Sequence, residues 1–427
     1  MDPLAMLMFS RDNKASEITA AIAAGAPPDS SNQMGQTGLH IAALWGSHDA
    51  AEALLKGGAN VNVENMQGQT PLHFGAAARK NPKEMCTLLL AHGAATDVMD
   101  AVGRYAFELA DDDEIRTMLG GPDGRLFEYA AAGNVEELQE LLAGGAIKSL
   151  KLMDSQGRTA VNIAASEGKI GMVKALLAHD PTCLDLPDSG GDLPLHCATE
   201  AGHADMVSYL LTLNPNIDYQ NLNPSEYAGG NWLLGSNPIE PLDKTALHIA
   251  VDQGDAEIAG LLLDAGADVN KVDFDKRQPL HLALEMQDDT LIELLIKNGA
   301  DVNKVCPDFG SPLHLAAKRG PLKTLKLLLE SGADATVLNE EGWAPLHLAA
   351  RAGNADKVSA LASAAPLLVS APNAHGNCAL HLASLNGHAP AVAALIAAGA
   401  DAGVKNKEGM TAGEVTKNAD VRAALQK

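Results

Sequence analysis

The amino-acid sequence predicts an all-α repeat solenoid, and three observations lead to it. A tetrapeptide ending in Leu-His recurs at Thr37–His40, Thr70–His73, Leu193–His196, Thr245–His248, Gln278–His281, Ser311–His314, Ala344–His347 and Cys378–His381. The steps from His40 to His73, and from His248 through His281 and His314 to His347, are 33 residues each. A fixed spacing of that size means stacked supersecondary units. Finally, the 427 residues are 46 % hydrophobic but only 3 % aromatic, so the core must be built from Leu, Ala, Val and Ile, which suits close-packed short helices better than sheets.

Each unit follows the same grammar. Proline at the first turn, as at Pro71, Pro279, Pro312 and Pro345, is pre-set for a helix start, and a Thr or Ser before it can cap the exposed amides. A small pair follows, such as Ala42-Ala43 or Ala316-Ala317, which lets neighbouring helices approach closely; Gly46 or Gly320 then ends the first helix. The second helix is Leu-rich, as in Leu261–Leu263 and Leu327–Leu329, and is closed by Gly266-Ala267 or Gly332-Ala333, where glycine tolerates a left-handed turn. Asp268-Val269-Asn270 and Asp301-Val302-Asn303 lead into a projecting turn.

These motifs, Thr-Pro-Leu-His, Gly-His, Leu-Leu-Leu and Gly-Ala-Asp-Val-Asn, closely resemble those of the ankyrin-repeat family over nearly the whole chain. The resemblance implies helix-turn-helix units with projecting β-turn fingers, stacked so that inner helices and fingers form a concave binding surface. Stability would come from contacts between neighbouring units, since none can bury its apolar face alone. The resemblance also implies that His40, His73, His196, His248, His281, His314, His347 and His381 are structural, each hydrogen-bonding a helix to the adjacent turn. Asn62, Asn270 and Asn303 sit in Val-Asn contexts that resemble those hydroxylated in such repeats.

Departures from the period set the expected organisation. Residues 103–119 are too short for a full unit, and the end of the chain has the same form: Gly409 precedes Glu414 by five residues, as Gly103 precedes Glu108. Both read as truncated polar units that close a stack. After the short Gly/Pro junction 120–123, the segment from Phe127 lacks the Leu-His tetrapeptide, as does the opening unit from Leu7 to Ala26. We therefore expect one array over 1–119, closed by the cap 103–119, and a second over 124–427, closed by the cap 409–425. The rival reading is one continuous stack with a shortened unit.

The interval from His196 to His248 is 52 residues, and its surplus falls at about 221–241. This insertion holds Tyr227, Trp232, Leu233 and Leu234 between Pro- and Gly-rich flanks. Enlarged loops with large apolar groups often carry function, although the tryptophan could instead fold back locally. With Tyr219, Phe274, Phe309 and Trp343 at or near the fingers, these residues make a candidate partner-binding stripe, since exposed aromatics anchor interfaces. Packing between adjacent fingers is the alternative for some of them. Lys271 and Lys304 would give the stripe a basic rim or be simply solvated.

Composition and motifs narrow the function classes. A formal charge of -23 and a pI near 4.9 repel phosphate backbones and anionic headgroups, so we expect protein partners, including basic surfaces, and neither nucleic acid nor membrane insertion. Five dispersed cysteines form no Cys-x-x-Cys pair and signal neither disulfides nor zinc. No signal-peptide core or run of roughly 18 apolar residues is present, which points to the cytoplasm or the nucleus. His-Glu-x-x-His, Gly-x-Ser-x-Gly and phosphate-loop motifs are absent. The acidic run Asp111–Glu114 lacks the alternating spacing of a calcium loop and suits a solvated helix start. The expectation is a monomeric, non-enzymatic scaffold or adaptor without cofactor or metal; the alternative is a regulatory subunit or inhibitor that occludes a partner enzyme.

Overall fold

The computed structural model describes residues 3–145, 147, 149–221 and 243–426. Among these the regular elements are helices of three to ten residues, with isolated antiparallel bridges, such as Ser31 with Thr37 and Met153 with Thr159, in place of strands. The architecture is an all-α repeat solenoid. Helices this short are marginal alone in water, so each depends on the neighbour it packs against.

The described residues divide into two compact units, one within Met1–Ser189 and the other formed by 190–221 and 243–426. In the first, the inner helices Pro3–Arg11, Gly38–Trp45 and Pro71–Ala76 pack in sequence onto the 3-10 turn Ala106–Leu109. The outer helices Ala15–Ala23, His48–Lys56, Pro82–Ala91 and Asp113–Met118 form the second row. A continuous buried core joins them from Met6 to Leu119. Two further hairpins follow, Gly124–Ala132 with Val135–Ala143, and Ala160–Ser166 with Ile170–His179. In the second unit the inner row runs from Pro194–Glu200 to Ala379–Leu385, and the last outer helix, Ala419–Leu425, packs on Ala389–Ala397.

Small residues make the inner row possible. Ala42, Ala43, Ala316, Ala317, Ala349 and Ala350 are all fully buried, and any larger side chain there would push adjacent helices apart. The outer helices supply volume: Leu291, Ile292 and Leu295, then Leu325 and Leu328, are likewise sealed from solvent. Gly46 ends its helix in the left-handed region at φ 66°, as expected. Gly320 does not: its φ is not positive, and its role is close packing, since a Cβ there would lie 3.0 Å from the Cα of Ala316.

A lysine is buried inside the stack. Lys357 is buried, and its Nζ donates to the carbonyl oxygens of Ala316 (3.0 Å) and Ala317 (3.2 Å), in the last turn of Pro312–Lys318. An ammonium at a helix C-terminus satisfies orphan carbonyls and complements the dipole, while burial lowers the lysine's pKa.

Candidate functional site

The fingers and the first turns of the inner helices form one hydrogen-bonded edge, and the eight histidines organise it. In His314, Nδ1 accepts from the backbone N–H of Ser311 (3.1 Å), while Nε2 donates to the carbonyl oxygen of Trp343 in the next finger (2.8 Å). The same pair of bonds recurs at His40 to Gln69, His73 to Arg104, His196 to Tyr219, His248 to Arg277, His281 to Lys304 and His347 to Ala371. An Nδ1 that accepts an amide proton carries none of its own, so this network fixes the neutral Nε2–H tautomer. Burial works in the same direction, lowering the pKa of all seven and pushing His196 and His281 down to about 4.

Two members of the row differ. At His381 the Nδ1 faces Cys378 Sγ at 2.8 Å; burial opposes the thiolate, but the imidazole contact holds the thiol below its ordinary value and raises that of His381. At Thr159 the place of histidine is taken by Asn162, whose side-chain oxygen accepts from the Thr159 hydroxyl at 2.7 Å. The Leu-His pattern overlooks this unit; the signal was Thr159-x-x-Asn162, one period before His196. Thr159 and Thr245 cap their helices, accepting from Asn162 N–H and His248 N–H at 3.1 and 3.4 Å, while the hydroxyls of Thr37, Thr70 and Ser311 lie 3.0, 3.0 and 2.7 Å from the imidazole Nδ1.

A second ladder runs through asparagine. Asn62 donates to Gly93 O and accepts from Ala95 N–H; Asn270 does the same with Gly299 and Asp301, and Asn303 with Gly332 and Asp334 at 3.1 and 2.7 Å. Each amide staples its finger to the next. Asn303→Ala is expected to cost about 1 kcal/mol, because these exposed bonds are partly replaced by water. Hydrogen exchange checks it: the Asp334 amide should lose protection while the Leu328 region keeps its own.

The candidate partner-binding residues occupy different environments. Phe274 projects from a finger with 49 % of its surface exposed, and Phe309 is half-buried. Tyr219 is half-buried, edge-on to His196 with ring centroids 6.0 Å apart. Trp343 is only 7 % exposed, edge-on to His347 and His375, with the Arg351 guanidinium 5.4 Å above its ring. Tyr227, Trp232, Leu233 and Leu234 lie outside the described residues. Lys271 is half-buried and Lys304 exposed. A search for aromatics missed Met34, Met66 and Met99, exposed on the fingers of the first unit, with Met66 at 78 %. The 33-residue step from Met66 to Met99 was the available signal.

Among the described residues no group of three or more His, Cys, Asp or Glu is placed to hold a metal ion, and no helix is long and apolar enough to cross a membrane. Burial pushes the Cys86 thiol up to about 12, which makes it unreactive.

The family model described as ankyrin repeats (3 copies) matches residues 6–100, 126–221, 228–306 and 313–406. Among curated relatives, the nuclear factor NF-kappa-B p105 subunit of Gallus gallus is 31 % identical over 147 residues, covering 34 % of this chain and 13 % of that protein. The 26S proteasome non-ATPase regulatory subunit 10 of Dictyostelium discoideum is 32 % identical over 92 residues, covering 22 % and 39 %. L-asparaginase of Dirofilaria immitis is 27 % identical over 199 residues, covering 42 % and 32 %. In each case the match spans well under two thirds of the relative. Among solved structures, the ankyrin repeat domain of Bcl-3, of the IkappaB protein family, is 28 % identical with a TM-score of 0.47, covering 56 % of this chain and 100 % of that one. With that family model matched in four segments over most of its length, the chain belongs to the ankyrin-repeat family.

Proposed function

We propose that this protein is an interaction scaffold or adaptor that holds partner proteins on its fingers and inner helices. The observation that carries the reading is chemical. The repeat histidines and the asparagines Asn62, Asn270 and Asn303 are committed to internal bonds, while apolar side chains such as Phe274 are left exposed. An apolar group on a rigid, pre-formed rim loses little entropy on binding and is a natural anchor. The net charge of -23 favours encounter with basic surfaces. A regulatory role, in which the chain covers a partner enzyme, is favoured by the similarity to a proteasome regulatory subunit.

The organisation into arrays 1–119 and 124–427 belongs to the same proposal. It is supported by the core that runs from Met6 to Leu119 and by family matches that stop at residue 100 and resume at 126, whereas the compact unit that extends to Ser189 favours the rival continuous stack over that stretch. Proximity labelling in the native cell with the full chain identifies clients, and purified clients are then titrated. Phe274→Ser and removal of residues 222–241, which keeps the buried Asn221 and its bonds to Asp192 and Lys244, are each expected to weaken a client about tenfold or more without changing the melting temperature. Clients that bind both variants as well as the parent would refute the reading.

A further inference from the structure

The inner helices of the second unit end on a row of charged side chains, Glu200, Asp252, Glu285, Lys318 and Arg351, each seven residues after the start of its Leu-His tetrapeptide. The sign reverses between Glu285 and Lys318. A helix C-terminus favours cations and disfavours acids, so the dipole does not dictate a row that carries both. Asp252 and Glu285 are answered from within the chain, by Lys244 and by Arg277 at 3.7 Å. Lys318, its neighbour Arg319 and Arg351 are exposed and make no ion pair among the described residues. Glu330, Asp334, Glu340, Glu341 and Asp356, the acids of residues 311–365, pair with none of them. Other lysines are unpaired too, but singly, as Lys326 is on the outer helix Leu322–Glu330, one turn before Glu330.

The same two hairpins hold further donors without acceptors. The Lys357 ammonium, seated on the carbonyl oxygens of Ala316 and Ala317, adds a positive charge next to Lys318 with no carboxylate against it. Arg351 lies with its guanidinium 5.4 Å over the Trp343 ring, and the Nε1–H of that indole is buried with no acceptor among the described residues. In the next finger, whose His375 is edge-on to Trp343 at 6.2 Å, Asn373 is in the same condition. Its Oδ1 accepts from the N–H groups of His375 (2.9 Å) and Asn377 (3.0 Å), which fixes the amide and leaves Nδ2 to find an acceptor. At Asn65 that acceptor is Gln69 Oε1 at 3.3 Å; here the side chain is the shorter Asn377, whose Oδ1 is turned to Asn406 at 3.0 Å. A buried donor left unmet costs free energy, so this end of a chain of net charge -23 collects cations and orphan donors together.

We propose that the inner-helix ends of Pro312–Lys318 and Pro345–Ala352 are a docking surface for an extended acidic segment of a partner protein, its carboxylates paired with Lys318, Arg319 and Arg351. Packed helices lie roughly 8–10 Å apart, which sets the step from Lys318 to Arg351. A polyproline II segment returns every third side chain to the same face after about 9 Å, so acids three residues apart keep step with the row. Nucleic acid has the same sign, but a phosphate backbone runs on past the patch into the field of a chain at -23, whereas a short acidic segment meets only the cations. The proposal rests on the protein-binding reading above and reverses, at this one place, the preference for basic surfaces that the net charge sets.

The test titrates the full chain by fluorescence anisotropy, at about 50 mM salt where screening is weak, with a fluorescein-labelled peptide of three Pro-Pro-Glu repeats. Pro-Pro-Gln repeats are the control. Saturable one-to-one binding of the glutamate peptide is expected, about tenfold or more tighter than that of the glutamine peptide. Lys318→Glu and Arg351→Glu should each weaken it about fivefold. Lys326→Glu makes the same change of net charge on the outer row and should leave affinity within about twofold. Should a reversal unsettle the fold, Lys318→Gln with Arg351→Gln removes both charges without adding any and is expected to weaken binding about fivefold as well. Phe274→Ser should leave the peptide unaffected, so a client lost through Phe274 and a peptide lost through Lys318 report on separate claims. Absence of saturable binding, unchanged affinity in the Lys318 and Arg351 variants, an equal loss in Lys326→Glu, or tighter binding of an oligothymidylate of about twelve nucleotides, which would make nucleic acid the occupant, each overturns the proposal.

Discussion

Lowering the pH from 6.5 to about 4 is expected to unfold the repeats between residues 190 and 426, with the loss beginning above the range in which their carboxylates titrate. His196 and His281 sit at about 4 in the folded chain against the ordinary 6.5, and His248, His314 and His347 are lowered in the same direction. Because the folded pKa lies below the unfolded one, the unfolded chain binds the extra protons between these limits. The stability is therefore fully present above 6.5 and is lost as the pH falls. At about 1.4 kcal/mol per pH unit, His196 and His281 each represent ~3 kcal/mol. His381 works the other way, since its pKa is raised and its share is kept on the acid side. Urea melts by circular dichroism at pH 7, 6 and 5 measure the loss. His281→Asn supplies the control, because the chain already uses Asn162 at this position beside Thr159. That variant should lose about 2 kcal/mol less between pH 7 and pH 5; an unchanged pH profile would show that the histidines are not the cause.

How far the sequence foretold these features depends on whether a feature is local. The helix starts at Pro312 and Pro345, the glycine turn at Gly46 and the Leu-rich outer helices are written within single units, so periodicity exposes them. The chemistry of the edge is written across units. Trp343 looks like a free finger aromatic until His375, from the following finger, and Arg351 close over it. Lys357 reads as a solvated helix lysine, yet its ammonium ends on carbonyls some 40 residues earlier. Glu108 occupies the histidine position of a truncated unit and is exposed beside an open cleft, which nothing in its own segment foretells. Its counterpart Glu414 caps its own turn, accepting from Thr411 N–H at 2.7 Å. The two caps look alike in sequence and differ in surroundings.

The same distinction predicts that two superficially equivalent glycines will respond very differently to alanine. Gly332 follows an outer helix at φ 91°, and a Cβ there would meet nothing within 4 Å. Gly332→Ala therefore carries only the strain of a left-handed side chain, about 1 kcal/mol. Gly46 follows an inner helix at φ 66°, an easier angle for an L residue, yet its Cβ would fall on the carbonyl oxygen of Lys80 in the next hairpin. Backbone cannot rotate away as a side-chain tip can. The Arg79 N–H bond to Leu44 O (3.1 Å), which ties the same two loops, must break for Lys80 to retreat. Gly46→Ala should thus cost roughly 3 kcal/mol or more despite its milder dihedral, and the loss should appear as decoupling of the first hairpins from Pro71–Ala76 onward. Chemical denaturation of both variants, with hydrogen exchange to locate the change, discriminates the two costs. If the two alanines cost the same, the dihedral rather than the stacking contact governs these turns, and the account of stability as contact between neighbouring units fails at that joint.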